Sequence, residues 1–150
     1  MAVRGCDAEH LNSLTIQRSL AGAVKNAVEE DTMIKLVTLL TKRSGMSREA
    51  FIEHYETHHK KIGEKYLAGY AVKYQRRYLN VADSAHHAPE ELPFDVLMEI
   101  WFPDQARMDA AMALIGSEAA QAEIIADEAR LFDRDLIRSY VVEEYESEMP

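Results

Sequence analysis

The stretch Phe94-Asp95-Val96-Leu97-Met98-Glu99-Ile100-Trp101-Phe102 carries apolar residues at both odd and even positions. A strand sends successive side chains to opposite faces of its sheet, so both faces of this one need cover. A sheet with one wet face is therefore excluded, and the remaining elements must account for two layers of packing.

The flanking periodicities supply most of that cover. Ile34 to Leu40 is β-branched and aliphatic and of strand length. Lys42-Arg43-Ser44-Gly45 reads as a turn. Ser47 then suits an N-cap, because its hydroxyl can accept a free backbone N–H of the first helical turn. Phe51, Tyr55, Ile62 and Tyr66 recur at helical spacing, and Gly69 marks the stop. Tyr70 to Asn80 predicts a second strand, residues 82–93 a polar loop, and residues 94–102 the third strand. Asp104 caps a second helix with Met108, Ala111, Met112 and Ile115 on its apolar face. Gly116-Ser117 interrupts or re-caps it before helix resumes toward Phe132. Leu136 to Glu144 predicts a fourth strand.

The order β-α-β-β-α-β predicts an α+β, ferredoxin-like domain over residues 33–150, with a four-stranded antiparallel sheet and its helices on one face. The other face is left to be covered. A second copy of the same sheet is the simplest cover, which predicts a symmetric homodimer. Residues 1–32 stand apart as an N-terminal extension. Leu11, Leu14, Leu20, Val24, Ala27 and Val28 are spaced loosely like one helix face. Two readings stand for it, a loosely packed tail or an arm that packs on a partner subunit.

Composition narrows the function classes. A net charge of −9 argues against nucleic acid as a partner, since phosphate binding needs a basic stripe. It also disfavours an anionic membrane surface. Asp7, Glu9 and His10 interrupt any apolar leader, and the lone Cys6 has no intrachain partner, so a reducing, cytoplasmic setting is the expectation. No phosphate-cradling glycine loop and no dinucleotide fingerprint appear, and no cofactor is expected. His54 and His58 are four apart, yet Tyr55 stands where the helical zinc motif needs glutamate, so no metal is expected either. His86-His87 has no ligand-like context.

The chemistry-bearing candidates lie on the first helix. At ~100° per residue, His59 falls about 80° from Phe51, within the stripe that faces the sheet. His58 falls at the stripe's edge and His54 beyond it. An imidazole between helix and sheet titrates near neutrality and suits acid–base work, or it is a core histidine bonded to a backbone carbonyl. Asp127, near the end of the second helical region, could orient such an imidazole, or it is a solvated carboxylate. Tyr70, Val72, Tyr74, Arg76 and Tyr78 share one strand parity, with Lys73, Gln75 and Arg77 on the other. Phenols and a guanidinium suit a phenolate, enolate or carboxylate ligand, or form a rim paired with Glu99 or Asp95. Glu99 itself is expected to be an acid raised by burial, or half of a dimer-interface ion pair.

At this point Arg43-Ser44-Gly45-Met46-Ser47-Arg48-Glu49-Ala50-Phe51, His54-Tyr55-Glu56-Thr57-His58-His59, Asp95 to Phe102 and Ala126 to Asp133 together resemble the EthD-type members of the dimeric α/β-barrel superfamily. The likeness runs from Met33 to about Ser147. The family pattern sets an aromatic residue four before a histidine, places filled here by Tyr55 and His59. The chain departs where many members have tryptophan, at Tyr55, and proline, at Lys61. The resemblance implies a cofactor-independent enzyme acting on an aromatic, lactone or polyketide-like small molecule, since relatives include lactone isomerases, decarboxylases or dehydratases and cofactor-free monooxygenases. It implies His59, Tyr55 and Asp127 as catalytic candidates. His58, Arg77, Tyr78, Trp101 and Phe132 are the substrate-contacting candidates, with Arg77 or Tyr78 stabilising developing negative charge. A cofactor-free monooxygenase and a non-catalytic dimer that binds a ligand or serves as an accessory protein are the alternatives.

Overall fold

The computed structural model describes residues 33–81 and 93–150. The expected N-terminal extension with Cys6, and the polar loop with His86-His87, lie outside the described residues apart from the loop's last position.

Strand β1 is Ile34–Leu40. A single long helical rod follows in three parts: α1 (Arg48–His54), a π turn (Tyr55–His59) and α2 (Lys60–Leu67). Ser47 caps α1, its Oγ accepting the Ala50 N–H at 3.1 Å. Gly45 and Gly69, with φ of 79° and 81°, supply the left-handed turns on either side of the rod. Strand β2 (Lys73–Tyr78) and strand β3 (Val96–Phe102) come next. Asp104 caps α3 (Gln105–Ile115), Ser117 re-caps the chain into α4 (Glu118–Leu131), and a 3-10 turn (Arg134–Leu136) leads into β4 (Arg138–Val141).

The sheet order is β2-β3-β1-β4, with every neighbouring pair antiparallel. This is the ferredoxin-like arrangement expected from the element order. The outer strands are shorter than the sequence pattern predicts. Leu136 is taken up by the 3-10 turn, which delays β4. On β2 the ladder still extends past the strand ends, through Val72 N–H to the Trp101 carbonyl at 2.9 Å and Leu79 N–H to the Asp95 carbonyl at 2.8 Å.

Register assigns each side chain to a face. Ile34, Leu36, Thr38 and Leu40 lie opposite Phe102, Ile100, Met98 and Val96 and meet the helices. One core cluster joins Leu40, Phe51, Tyr55, Val96, Leu131 and Phe132, and a second joins Leu67, Ile100, Phe102 and Ala111. Phe51 sits edge-on to Tyr55, Tyr78 and Phe132 at 5.8–6.2 Å between ring centres. The opposite face carries Val37, Leu39, Leu97 and Trp101, and among the described residues no helix lies on it. None of the described helices is long and apolar enough to cross a membrane.

Phe51 is 1% exposed at the meeting point of helix, sheet and Phe132. Phe51→Ala is expected to cost about 3–5 kcal/mol, by lost transfer energy and a cavity that three edge-packed rings cannot close. Urea denaturation followed by circular dichroism measures it.

A histidine pair on one carboxylate beside a small apolar cavity

The π turn forms because the Lys60 N–H reaches back to the Tyr55 carbonyl, five residues earlier instead of four. In a regular helix, residues five apart point about 140° away from each other. Across a π turn they come to the same side. His54 and His59 are such a pair, and both reach Asp127 on α4. The His59 Nδ1 lies 2.9 Å from Oδ2, and the His54 Nε2 lies 2.8 Å from Oδ1. All three groups are half-buried, with side-chain exposures of 12% for His59 and Asp127 and 22% for His54.

Burial pushes the Asp127 carboxyl upward, but hydrogen bonds and charge from His54 and His59 outweigh it and hold the group below its ordinary value. Asp127 is thus an ionised acceptor, and each imidazole donates to it. That fixes a tautomer: Nδ1–H on His59 leaves Nε2 as its basic nitrogen, and Nε2–H on His54 leaves Nδ1.

His59 also lines a cavity of about 120 Å³ between α2, the sheet and the two later helices. Its wall is chiefly apolar, built from Ile62, Leu67, Met98, Ile100, Ile115 and Ile124. The remaining lining is Gly63, Tyr66 and Tyr74. The Tyr66 hydroxyl is engaged, donating to Glu123 at 2.5 Å.

Of the residues singled out in the sequence, the fold brings His59, Asp127, Tyr55 and Phe132 together. The Tyr55 and Phe132 rings stand edge-on to the His59 imidazole at 5.0 and 5.1 Å. They back it as core, at 0% and 3% exposure, without forming the cavity wall. Tyr78 faces the helices, yet its hydroxyl donates to Glu56 at 2.7 Å, beside the paired bonds of Arg76 to both Glu56 oxygens at 2.9 and 3.0 Å. The Arg76 hydrogen bonds hold the Glu56 carboxyl below its usual range against the upward push of burial.

Three substrate-contacting candidates lie elsewhere. His58 is exposed, its ring stacked on His54 at 4.9 Å and bonded to Thr57. Arg77 and Trp101 stand on the opposite face of the sheet, where both bond Glu99. Arg77 and Tyr78 are adjacent on one strand, so they cannot share a face, and Arg77 cannot serve the cavity. Glu99 departs from its expectation as well. Burial raises it, but Arg77, the Trp101 indole N–H and nearby Lys35 win, and it lies below its ordinary value. Its ion pair closes within one chain.

Sequence spacing missed His54 and Tyr74. The regular helical angle turns His54 away from His59, and only the π turn brings it back. Tyr74 shares its strand parity with Tyr70 and Tyr78, and nothing in the spacing distinguishes it from them.

The fold and the paired imidazoles define a small α+β domain of the ferredoxin-like class with a half-open cavity between helices and sheet. The EthD domain model matches residues 43–135, and the chain belongs to that family. Solved structures similar to it include an EthD family protein from Bacillus halodurans, at 18% identity and a TM-score of 0.54, covering 76% of this chain and 100% of that one. An EthD-like protein from Ralstonia eutropha is 23% identical with a TM-score of 0.51, covering 75% and 89%. A NIPSNAP-like domain protein from Burkholderia xenovorans is 17% identical with a TM-score of 0.51, covering 80% and 91%. These likenesses concern the fold. No curated protein matches the chain.

Because Asp127 is depressed in the folded chain, its stabilising contribution is full above the ordinary carboxyl value of 3.8 and is lost as pH falls through the lower folded-state value. Thermal denaturation of wild type and Asp127→Asn across pH 2–7 (about five units) is expected to show a stability gap that is widest at the upper end and narrows in acid.

Proposed function

We propose that this chain is a cofactor-independent enzyme in which His59 exchanges a proton with a small, largely apolar molecule held between helices and sheet. The observation that carries this reading is the single imidazole that both lines the cavity and donates Nδ1–H to a half-buried carboxylate. A carboxylate-oriented imidazole supports the imidazolium that forms when the ring takes a proton. Elimination, decarboxylation and isomerisation need only such proton transfers, so a lyase or isomerase fits best. The other reading, a protein that binds its ligand without turnover, is favoured by the predominantly apolar wall. We further propose a homodimer built on the open sheet face, whose Val37, Leu39, Leu97 and Trp101 form a partly apolar surface suited to a second copy.

Proton exchange can be measured before a substrate is known. Wild type is expected to speed deuterium uptake at the α-carbon of cyclohexanone in D₂O, and His59→Ala to lose about 10²–10⁴ of that acceleration. NMR integration of the α-protons reads it, and the far-ultraviolet circular dichroism of the variant should be unchanged. Equal exchange in the variant would leave ligand binding as the function. Leu97→Arg is expected to convert the dimer to monomer in sedimentation velocity. A wild type that already sediments as a monomer would end the dimer reading.

A further inference from the structure

Two tyrosines and a glycine sit beside the cavity, and one of the tyrosine hydroxyls has its hydrogen bonding unfinished. The Tyr55 hydroxyl is wholly buried and meets no partner in normal hydrogen-bond geometry. Such groups are rare in folded proteins and destabilise the site that holds them. The Tyr74 phenol faces it, and burial is the main influence raising both phenols above their ordinary range. Both are therefore neutral donors near pH 7.

The position of Tyr74 depends on Gly63. Glycine is among the poorest residues for a helix interior, yet Gly63 stands in the middle of α2. A Cβ there would lie 2.8 Å from the Tyr74 hydroxyl and from Cε1 of its ring. The missing side chain is what lets the phenol lie against the helix backbone, on the wall that His59 also lines.

We infer that Tyr74 is the hydrogen-bond donor of the cavity, seated by Gly63 and backed by Tyr55, and that the cavity takes an uncharged, single-ring-sized molecule bearing an acceptor oxygen. This rests on the proposal that His59 serves the same cavity. A phenol donates its proton and accepts on its oxygen independently, so Tyr74 can give its proton to a ligand oxygen while its own oxygen faces the Tyr55 hydroxyl as acceptor. Tyr74 touches the ligand, and Tyr55 is a positioning residue.

Size and charge limit the ligand. An apolar cavity of roughly 150 Å³ accommodates a benzene-sized molecule; this one is about 120 Å³ and half-open to solvent, so a single ring can enter with part of the molecule left at the mouth. Among the described residues, no lysine or arginine lines it. An anion placed there would lose its hydration and meet no fixed positive charge, so carboxylates are disfavoured.

The test titrates three probes into the full-length protein: acetophenone, ethylbenzene as its counterpart without the oxygen, and benzoate as the charged one. Binding is followed by NMR of ¹³C-labelled tyrosine and histidine rings. Acetophenone is expected to move the Tyr74 and His59 ring signals, to bind about fivefold more tightly than ethylbenzene, and to bind at least about tenfold more tightly than benzoate. Tyr74→Phe should erase the acetophenone advantage while keeping ethylbenzene affinity. Tyr55→Phe should reduce that advantage, again with ethylbenzene unaffected, whereas a purely packing role would weaken both. Gly63→Ala should weaken both by pushing the ring into the cavity. Equal affinity for acetophenone and ethylbenzene, an unchanged advantage in Tyr74→Phe, or no binding by any probe would overturn the inference. The reading of His59 fails separately, if Tyr74 signals respond to acetophenone and those of His59 do not.

Discussion

One carboxylate held between two imidazoles fixes the geometry of this site. Asp127 belongs to the last long helix, and His54 and His59 belong to the first helical rod. The bonds join elements far apart in sequence and set the tautomer of each ring. A half-buried carboxylate needs donors to stay ionised, and a half-buried imidazole needs an acceptor to stay oriented. Each satisfies the other, and the third side of His59 is left for the cavity.

The sheet divides the molecule's polar chemistry by parity. Tyr74, Arg76 and Tyr78 turn toward the helices, where Glu56 collects Arg76 and Tyr78. Lys73, Gln75 and Arg77 turn the other way, where Arg77 reaches Glu99 and both Lys35 and Lys73 lie over the Trp101 ring. Arg76 is thus held by Glu56 on the helix side of the sheet, and Arg77 by Glu99 on the other.

Much of this was legible from residue order. The caps at Ser47 and Asp104, the stop near Gly69 and the two-sided third strand each have a local cause that sequence displays. His59 and Asp127 were legible for the same reason, as a polar ring on an apolar stripe and an acid near a helix end. What stayed hidden depends on distant partners. Helical angles assume a regular ladder, so the partnership of His54 was invisible until the π turn appeared. Arg77 suits an anionic ligand by residue type, but strand parity sends it to the face opposite Tyr78. The role of Gly63 could not be read either, since a helix-interior glycine explains itself only when Tyr74 is seen lying on it.

The widened turn between Tyr55 and His59 also bears on how this helix tolerates changes in length. A π turn amounts to one surplus residue absorbed into an α-helix. Deleting a residue from an ordinary helix swings everything beyond it by about 100° and unseats one flank from its core. Loss of one residue among Glu56, Thr57 and His58 would instead restore the regular ladder. Phe51 and Leu67 would keep their seats, and the two imidazoles would stand four apart on one side. This stretch is therefore a natural place for related chains to differ by an insertion or deletion without losing either the packing or the paired rings.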